Sequence, residues 1–237
     1  MSTENIPRLS NHEHLGAAAV LWLLNGKNLQ ETDLQSLTVR LSPSEAQRFA
    51  YFTRTMRRRQ FLLGRVLLRF AVAAITGMAS DEFSVVEKCG EGPQLVFSDR
   101  SYPVPKFSLS HSGDWNACVV SITAALGIDI ELNRPNRDFD DMCAVAFESC
   151  YRVWLRSLPR TERIAAFYPV GCMKVALFKL QCNLGLNSDD ARLLGNETAD
   201  DSFGPDVYPY KLLLEDLGLT GIVFSNQRLT IRRIVLT

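Results

Sequence analysis

An α+β fold is predicted for this chain, and three observations predict it. Strand-like and helical segments come in uneven runs, not in the regular alternation of a doubly wound sheet. A long stretch from Glu45 to about Ile75 has helical period, with Phe49, Phe52, Met56, Leu63, Val66, Leu67 and Phe70 recurring at three- and four-residue steps. The stretch Lys106 to Leu132 reads as a hairpin around HSGDWN followed by a further strand, Ile128 to Leu132.

In order along the chain, Ala17 to Leu24 is an apolar strand. In LSPSEAQRF, Ser42 or Ser44 can cap a helix whose first turn holds Pro43. The long helix that follows is expected to break near Arg57 to Gln60 and to stop at Gly77. FSVVEK is a strand, and CGEGPQLVF a turn leading into another. Lys106 to Leu109 pairs with Cys118 to Ile122. Asp140 to Leu155 and Thr161 to about Leu184 read as helices. Tyr210 to Leu214, Thr220 to Ser225 and Arg228 to Val235 read as strands. The polar segment from Asn187 to Pro209 reads as a long loop.

Composition sets ordinary bounds. With 237 residues, 46% hydrophobic and 22% charged, the chain can bury a sizeable core as one or two units. A formal net charge of +0 gives no global pull toward nucleic acid. No apolar run reaches membrane-spanning length, and MSTENIPRLSNHEHLG lacks a signal-peptide pattern, so a cytoplasmic protein is expected. The six cysteines form no C-x-x-C pair and read as reduced, mostly core thiols.

The chemistry concentrates in KFSLSHSGDWNACVVS and ALGIDIELNRP. Asp129 and Glu131 stand two apart in a strand and so share a face. Leu126, Ile128 and Ile130 mark the same segment as buried. Two buried carboxylates side by side need a cation. A hard divalent metal, held by few carboxylates and completed by phosphate oxygens, fits them. Ser110 and His111 would then serve the phosphates. Taken singly, His111 could be a turn histidine and the acids an exposed strand face. Their proximity favours the site.

F-x-L-S-H-S followed by G-I-D-I-E resembles the 4'-phosphopantetheinyl transferases, specifically the larger class built of two similar halves. The resemblance runs from Leu41 to Gly185. L-S-x-x-E-x-x-R at Leu41 to Arg48 matches the family's early helix, which places Arg48 on the coenzyme A nucleotide. Phe61 to Arg69 resembles the helix after it. The third block, F-Y-x-x-W-[ST]-x-K-E-A-x-x-K, aligns without a gap on Phe167 to Lys179 and supplies Lys174 and Lys179. Three positions depart: Gly171 stands for the Trp, Val175 for the Glu, and Glu91-Gly92-Pro93 lacks the lysine of G-K-P. Valine can neither bind metal nor accept a proton, so a third acidic ligand and candidate base is missing.

The resemblance implies two α+β halves forming a pseudodimer, residues 1–126 and 127–237. It implies transfer of phosphopantetheine from coenzyme A to a serine of an acyl or peptidyl carrier protein. Asp129 and Glu131 would hold magnesium, or manganese in its place. His111 and Lys179 would act with them in catalysis, and Arg48, Ser110, His111, Lys174 and Lys179 would bind coenzyme A. A monomer is expected, without membrane or nucleic-acid partners. Two other readings stay open. One is a transferase-like protein that binds coenzyme A or a carrier with weak or no turnover. The other is an interaction protein using the basic helix with Arg54, Arg57, Arg58, Arg59, Arg65 and Arg69, which by default is a solvated face.

Overall fold

The computed structural model describes residues 18–80, 82–86, 93–98, 103–134, 149–186, 204 and 206–236. Their elements confirm the α+β class. A four-stranded sheet has the order β4-β5-β1-β9, formed by β4 (Lys106–Ser112), β5 (Trp115–Ser121), β1 (Ala18–Asn25) and β9 (Thr230–Leu236). β9 runs parallel to β1, while β5 is antiparallel to both β1 and β4. A three-stranded antiparallel sheet has the order β6-β8-β7, from β6 (Leu126–Leu132), β8 (Leu219–Ser225) and β7 (Tyr208–Leu212). A small hairpin joins β2 (Phe83–Val86) to β3 (Gln94–Phe97).

Strand periodicity decides which face each sheet buries. On β1, Trp22 and Leu24 join Cys118 and Val120 against the helix α3 (Thr55–Thr76), whose Leu62, Leu63, Leu67 and Leu68 are fully buried. The intervening residues, Leu21, Leu23, Ala117 and Val119, pack against Ile128, Ile130 and Val223 of the second sheet. The outer face of that sheet receives α5 (Arg160–Leu184) through Ala176, Leu180, Ile222 and Phe224. The layers therefore run helix, sheet, sheet, helix. Each large side chain so buried contributes about 1.5–3 kcal/mol.

The helix entering this stack is fixed by chemistry legible in the sequence. Ser42 caps α2 (Pro43–Tyr51), its hydroxyl accepting from the Glu45 amide while the Glu45 carboxylate accepts from the Ser42 amide at 2.8 Å. Glu45 is wholly buried. Its carboxylate also takes Arg69 at 2.5 and 3.2 Å and lies 3.3 Å from Arg65. One residue thus caps α2 and ties it to α3. Removing it would strand two buried guanidinium groups, a loss of about 3–5 kcal/mol.

Boundaries differ from expectation in instructive ways. The long helix breaks at residues 52–54, before the expected Arg57 to Gln60, because Phe49 and Phe52 both fold back onto the Phe61 ring, at 6.3 and 5.2 Å between centroids. Gly77 ends α3 in the left-handed conformation, φ 73°. The hairpin strands extend further into HSGDWN than the sequence suggests, leaving only Gly113 and Asp114 as the turn. The helix expected over Asp140 to Leu155 is described as α4 (Ser149–Ser157), and its earlier part lies outside the described residues. So do 87–92, where the CGEGP turn falls, and most of the expected 187–209 loop. α1 (Glu31–Leu37) was not expected; it buries Leu34 alone, so it carries no periodic signal.

Candidate active site

The site forms where two edge strands, β4 and β6, lie side by side without backbone pairing. Side chains join them instead. Alternation points Ser108, Ser110 and Ser112 of β4 toward β6. Their hydroxyls accept the amides of Ile128, Ile130 and Leu132 at 3.1, 3.2 and 2.9 Å. Two of these hydroxyls also donate: Ser110 to Asp129 Oδ1 and Ser112 to Glu131 Oε2, both at 2.7 Å. The serine ladder therefore satisfies the open edge of β6 and aims both acids. At its far end Asn183 donates to the carbonyls of Phe107 and Leu126, at 3.0 and 2.6 Å.

Ile128 and Ile130 point into the core, which turns Gly127, Asp129 and Glu131 the other way. A Cβ at Gly127 would fall 2.0 Å from the Ala176 carbonyl oxygen and 2.5 Å from the Leu180 amide. The missing side chain is what lets α5 lie directly on β6. That contact brings Lys179 to Asp129 Oδ1 at 3.0 Å and to the Ile128 carbonyl at 2.8 Å. Asp129 is 7% exposed, so this ammonium offsets the cost of burying its charge. Cys172, on the same helix, is buried with its thiol 3.7 Å from the Thr220 carbonyl. Burial first, then the charges of Asp129 and Glu131, push that thiol far up, so it stays protonated and is no nucleophile.

On the other side of β4, His111 meets the start of α3. Arg57 Nη1 lies 2.8 Å from His111 Nε2. A guanidinium only donates, so Nε2 is the acceptor and the ring proton sits on Nδ1. Burial holds the His111 pKa below its ordinary value, followed by the charge of Arg57; Lys179 adds to this, against its own backbone hydrogen bond and Asp129. Gln60, one turn after Arg57, donates to the Gly113 carbonyl at 3.0 Å and so fixes the hairpin turn against α3.

Four of the residues singled out in the sequence thus converge, Ser110, Asp129, Glu131 and Lys179, while His111 meets Arg57 on the other side of β4. Two stand elsewhere. Lys174 lies over the Tyr151 ring, 4.2 Å from its centroid, and turns toward α4. Arg48 is exposed near the end of α2. Val175 is 42% exposed on α5, one turn before Lys179. Arg57 and Ser112 were not chosen as site residues. Ser112 had a signal, the alternating serines of F-S-L-S-H-S; Arg57 was one arginine among five on its helix.

No family model matches the chain. It is 29% identical over 175 residues to the 4'-phosphopantetheinyl transferase HetI of Nostoc sp., covering 73% of each chain. It is 35% identical over 139 residues to the 4'-phosphopantetheinyl transferase psf-1 of Bacillus pumilus, and 26% identical over 130 residues to the 4'-phosphopantetheinyl transferase AcpT of Salmonella typhimurium. The chain is related to the 4'-phosphopantetheinyl transferases. It spans 56% and 59% of the length of the psf-1 and AcpT transferases. Among the described residues, no helix is long and apolar enough to cross a membrane.

Among the described residues no group of three or more His, Cys, Asp or Glu gathers as a metal centre. Asp129 and Glu131 are two carboxylates that stand together at this site. Their donor chemistry suits magnesium, which is commonly held by one or two carboxylates together with substrate phosphates. Asp129 Oδ1 is held by Ser110 and Lys179, and Glu131 Oε2 by Ser112. These bonds orient the pair.

Proposed function

We propose that this chain transfers 4'-phosphopantetheine from coenzyme A to a serine hydroxyl of an acyl or peptidyl carrier protein, as a member of the larger, two-half class of these transferases. One observation carries the reading. Three separate sequence blocks deliver Ser110 and Ser112, Asp129 and Glu131, and Lys179 to one cluster bound by direct hydrogen bonds.

In the reaction the carrier serine oxygen bonds to the β-phosphorus of coenzyme A. The bond from that phosphorus to the bridging oxygen breaks, and 3',5'-ADP leaves with the electron pair. The serine proton passes to solvent or to a nearby carboxylate. Such transfers depend chiefly on positioning and on stabilising charge at the phosphoryl oxygens. Asp129 and Glu131 are the residues that would hold a divalent ion, which when bound supplies Lewis-acid charge to the pyrophosphate. Lys179 contributes a fixed positive charge beside Asp129, and Ser110 and Ser112 keep the acids from turning away. The sequestered Cys172 thiol keeps a competing nucleophile out of the chemistry.

The test is incubation with coenzyme A, magnesium and a panel of apo-carrier proteins, read by intact mass. Addition of a phosphopantetheinyl group to at least one carrier is the expected result. Unmodified carriers throughout, alongside a control transferase that modifies them, would defeat the assignment.

A further inference from the structure

We propose that Tyr168 and Asn183 are positioning residues of this site: they clamp α5 to the two ends of β6 and thereby hold Lys179 on Asp129. The proposal rests on the transferase reading above and names residues that act through its lysine. At one end the Tyr168 hydroxyl accepts the Arg134 amide at 2.9 Å and donates to the Arg134 carbonyl at 3.1 Å, just past the end of β6. At the other end Asn183 Nδ2 donates to the carbonyl of Leu126, the first residue of β6, at 2.6 Å and to that of Phe107 on β4 at 3.0 Å. Lys179 lies between these clamps, on the Ile128 carbonyl and Asp129 Oδ1.

The order of these contacts runs the helix antiparallel along the strand. From Tyr168 to Asn183 the helix advances about 22 Å, and from Leu126 to Arg134 the strand advances about 26 Å. The two spans agree to within about one residue of strand, so both clamps close at a single register. Gly127 sets how near the helix comes, not where it stops along the strand, because a residue without a side chain offers no ridge to key against. Directional bonds at the two ends supply that stop. Tyr168 is buried, its ring packed with Tyr151, Leu155 and Phe167, so the hydroxyl has one direction to point. Asn183 presents its amide nitrogen to two carbonyls, which uses both protons and excludes the flipped amide. Lys179 has no such constraint of its own. Its ammonium sits on a flexible four-carbon stem, and a slip of the helix would take it off both oxygens.

Amine labelling of the free protein tests this without substrate or metal. Wild type, Y168F and N183L are treated with an acetylating reagent, and each lysine is followed by peptide mass mapping. Y168F keeps the packed ring and removes only the hydroxyl; N183L keeps the volume and removes only the donor. While bonded to Ile128 and Asp129, the Lys179 nitrogen is shielded from the reagent. We expect Lys179 to label about threefold faster or more in each variant, the scale of one hydrogen bond lost. Lys27, exposed just after β1 and remote in the fold from α5, should keep its rate. Unchanged Lys179 labelling in either variant would overturn the two-ended clamp. So would a rise at Lys179 matched by an equal rise at Lys27, since that reports general loosening.

Transfer kinetics give a second reading. A misplaced catalytic group is felt in the chemical step, so we expect kcat to fall about tenfold in each variant while the KM for the carrier protein stays nearly constant. A loss confined to that KM would overturn the positioning role. The two readings fail differently. A wild type that modifies no carrier defeats the transferase assignment and leaves the labelling to decide whether the clamps hold Lys179. A wild type that transfers, with variants that label and turn over as it does, defeats the clamps alone.

Discussion

Position 175 shows how one side chain sets the electrostatic character of the cluster. Val175 precedes Lys179 by one helical turn, on the helix that Gly127 admits against the acids. Val175→Glu would add a third carboxylate to Asp129 and Glu131. Like charges at close range disfavour one another unless a cation joins them. The variant should gain more thermal stability from magnesium than the wild type, and the gain should grow with magnesium concentration by mass action. Identical magnesium titrations for the two proteins would show that residue 175 does not face the acids. At this scale the sequence was informative where chemistry repeats locally. GIDIE placed both acids on one face because strand alternation is a short-range rule. Arg57 escaped because its partner lies 54 residues away, a pairing that only the packing of α3 on β4 creates.

At the scale of elements, the approach of α5 to β6 is the controlling contact. Gly127→Ala would put a methyl group where the Ala176 carbonyl now sits. Both clashing partners are helix backbone, so no rotamer change relieves them. The helix must shift as a body, at a cost on the order of 3 kcal/mol. Lys179 shifts with it and leaves Asp129. We expect a clear drop in melting temperature together with a loss of transfer activity larger than the stability change explains. A variant that melts and turns over like the wild type would show the contact to be slack. The existence of these elements was legible, since α3 and α5 are long and their stop signals, Gly77 and Gly185, are glycines in the left-handed conformation. Their ends were less so. The break before α3 comes from aromatic packing around Phe61, and periodicity runs straight through it. Pro169 sits inside α5 despite lacking an amide, a case of tertiary packing overriding a local breaker.

For the molecule as a whole, the division at residue 126 meets two physical ties. β9 hydrogen-bonds in parallel to β1 from Ala18↔Thr230 to Leu24↔Leu236. The serines of β4 bond to β6. A fragment of residues 1–126 would lose both, exposing the edge of β1 and the apolar face formed by Leu21, Leu23, Ala117 and Val119. We expect that fragment alone to lack a cooperative thermal transition, and to regain one when mixed with residues 127–237. A sharp transition for the isolated fragment would establish two independent units. The α+β class was readable from element order alone. The parallel return of the last strand was not, because nothing in Thr230 to Leu236 names its neighbour.

The serine ladder gives β6 two populations of amides. Those of Ile128, Ile130 and Leu132 end on hydroxyls, while by antiparallel alternation the amides between them face β8. Hydrogen exchange in the native state can read the two sets separately. If the β4–β6 seam parts while the sheets stay whole, the three hydroxyl-bonded amides should exchange together and ahead of their neighbours. Ser110→Ala should then hasten Ile130 most, because its amide loses the hydroxyl that accepts it across the seam. Equal protection along the whole strand would mean that the seam opens only when the protein unfolds. The same hydroxyls that aim the acids would in that case also lock the two sheets into one cooperative body.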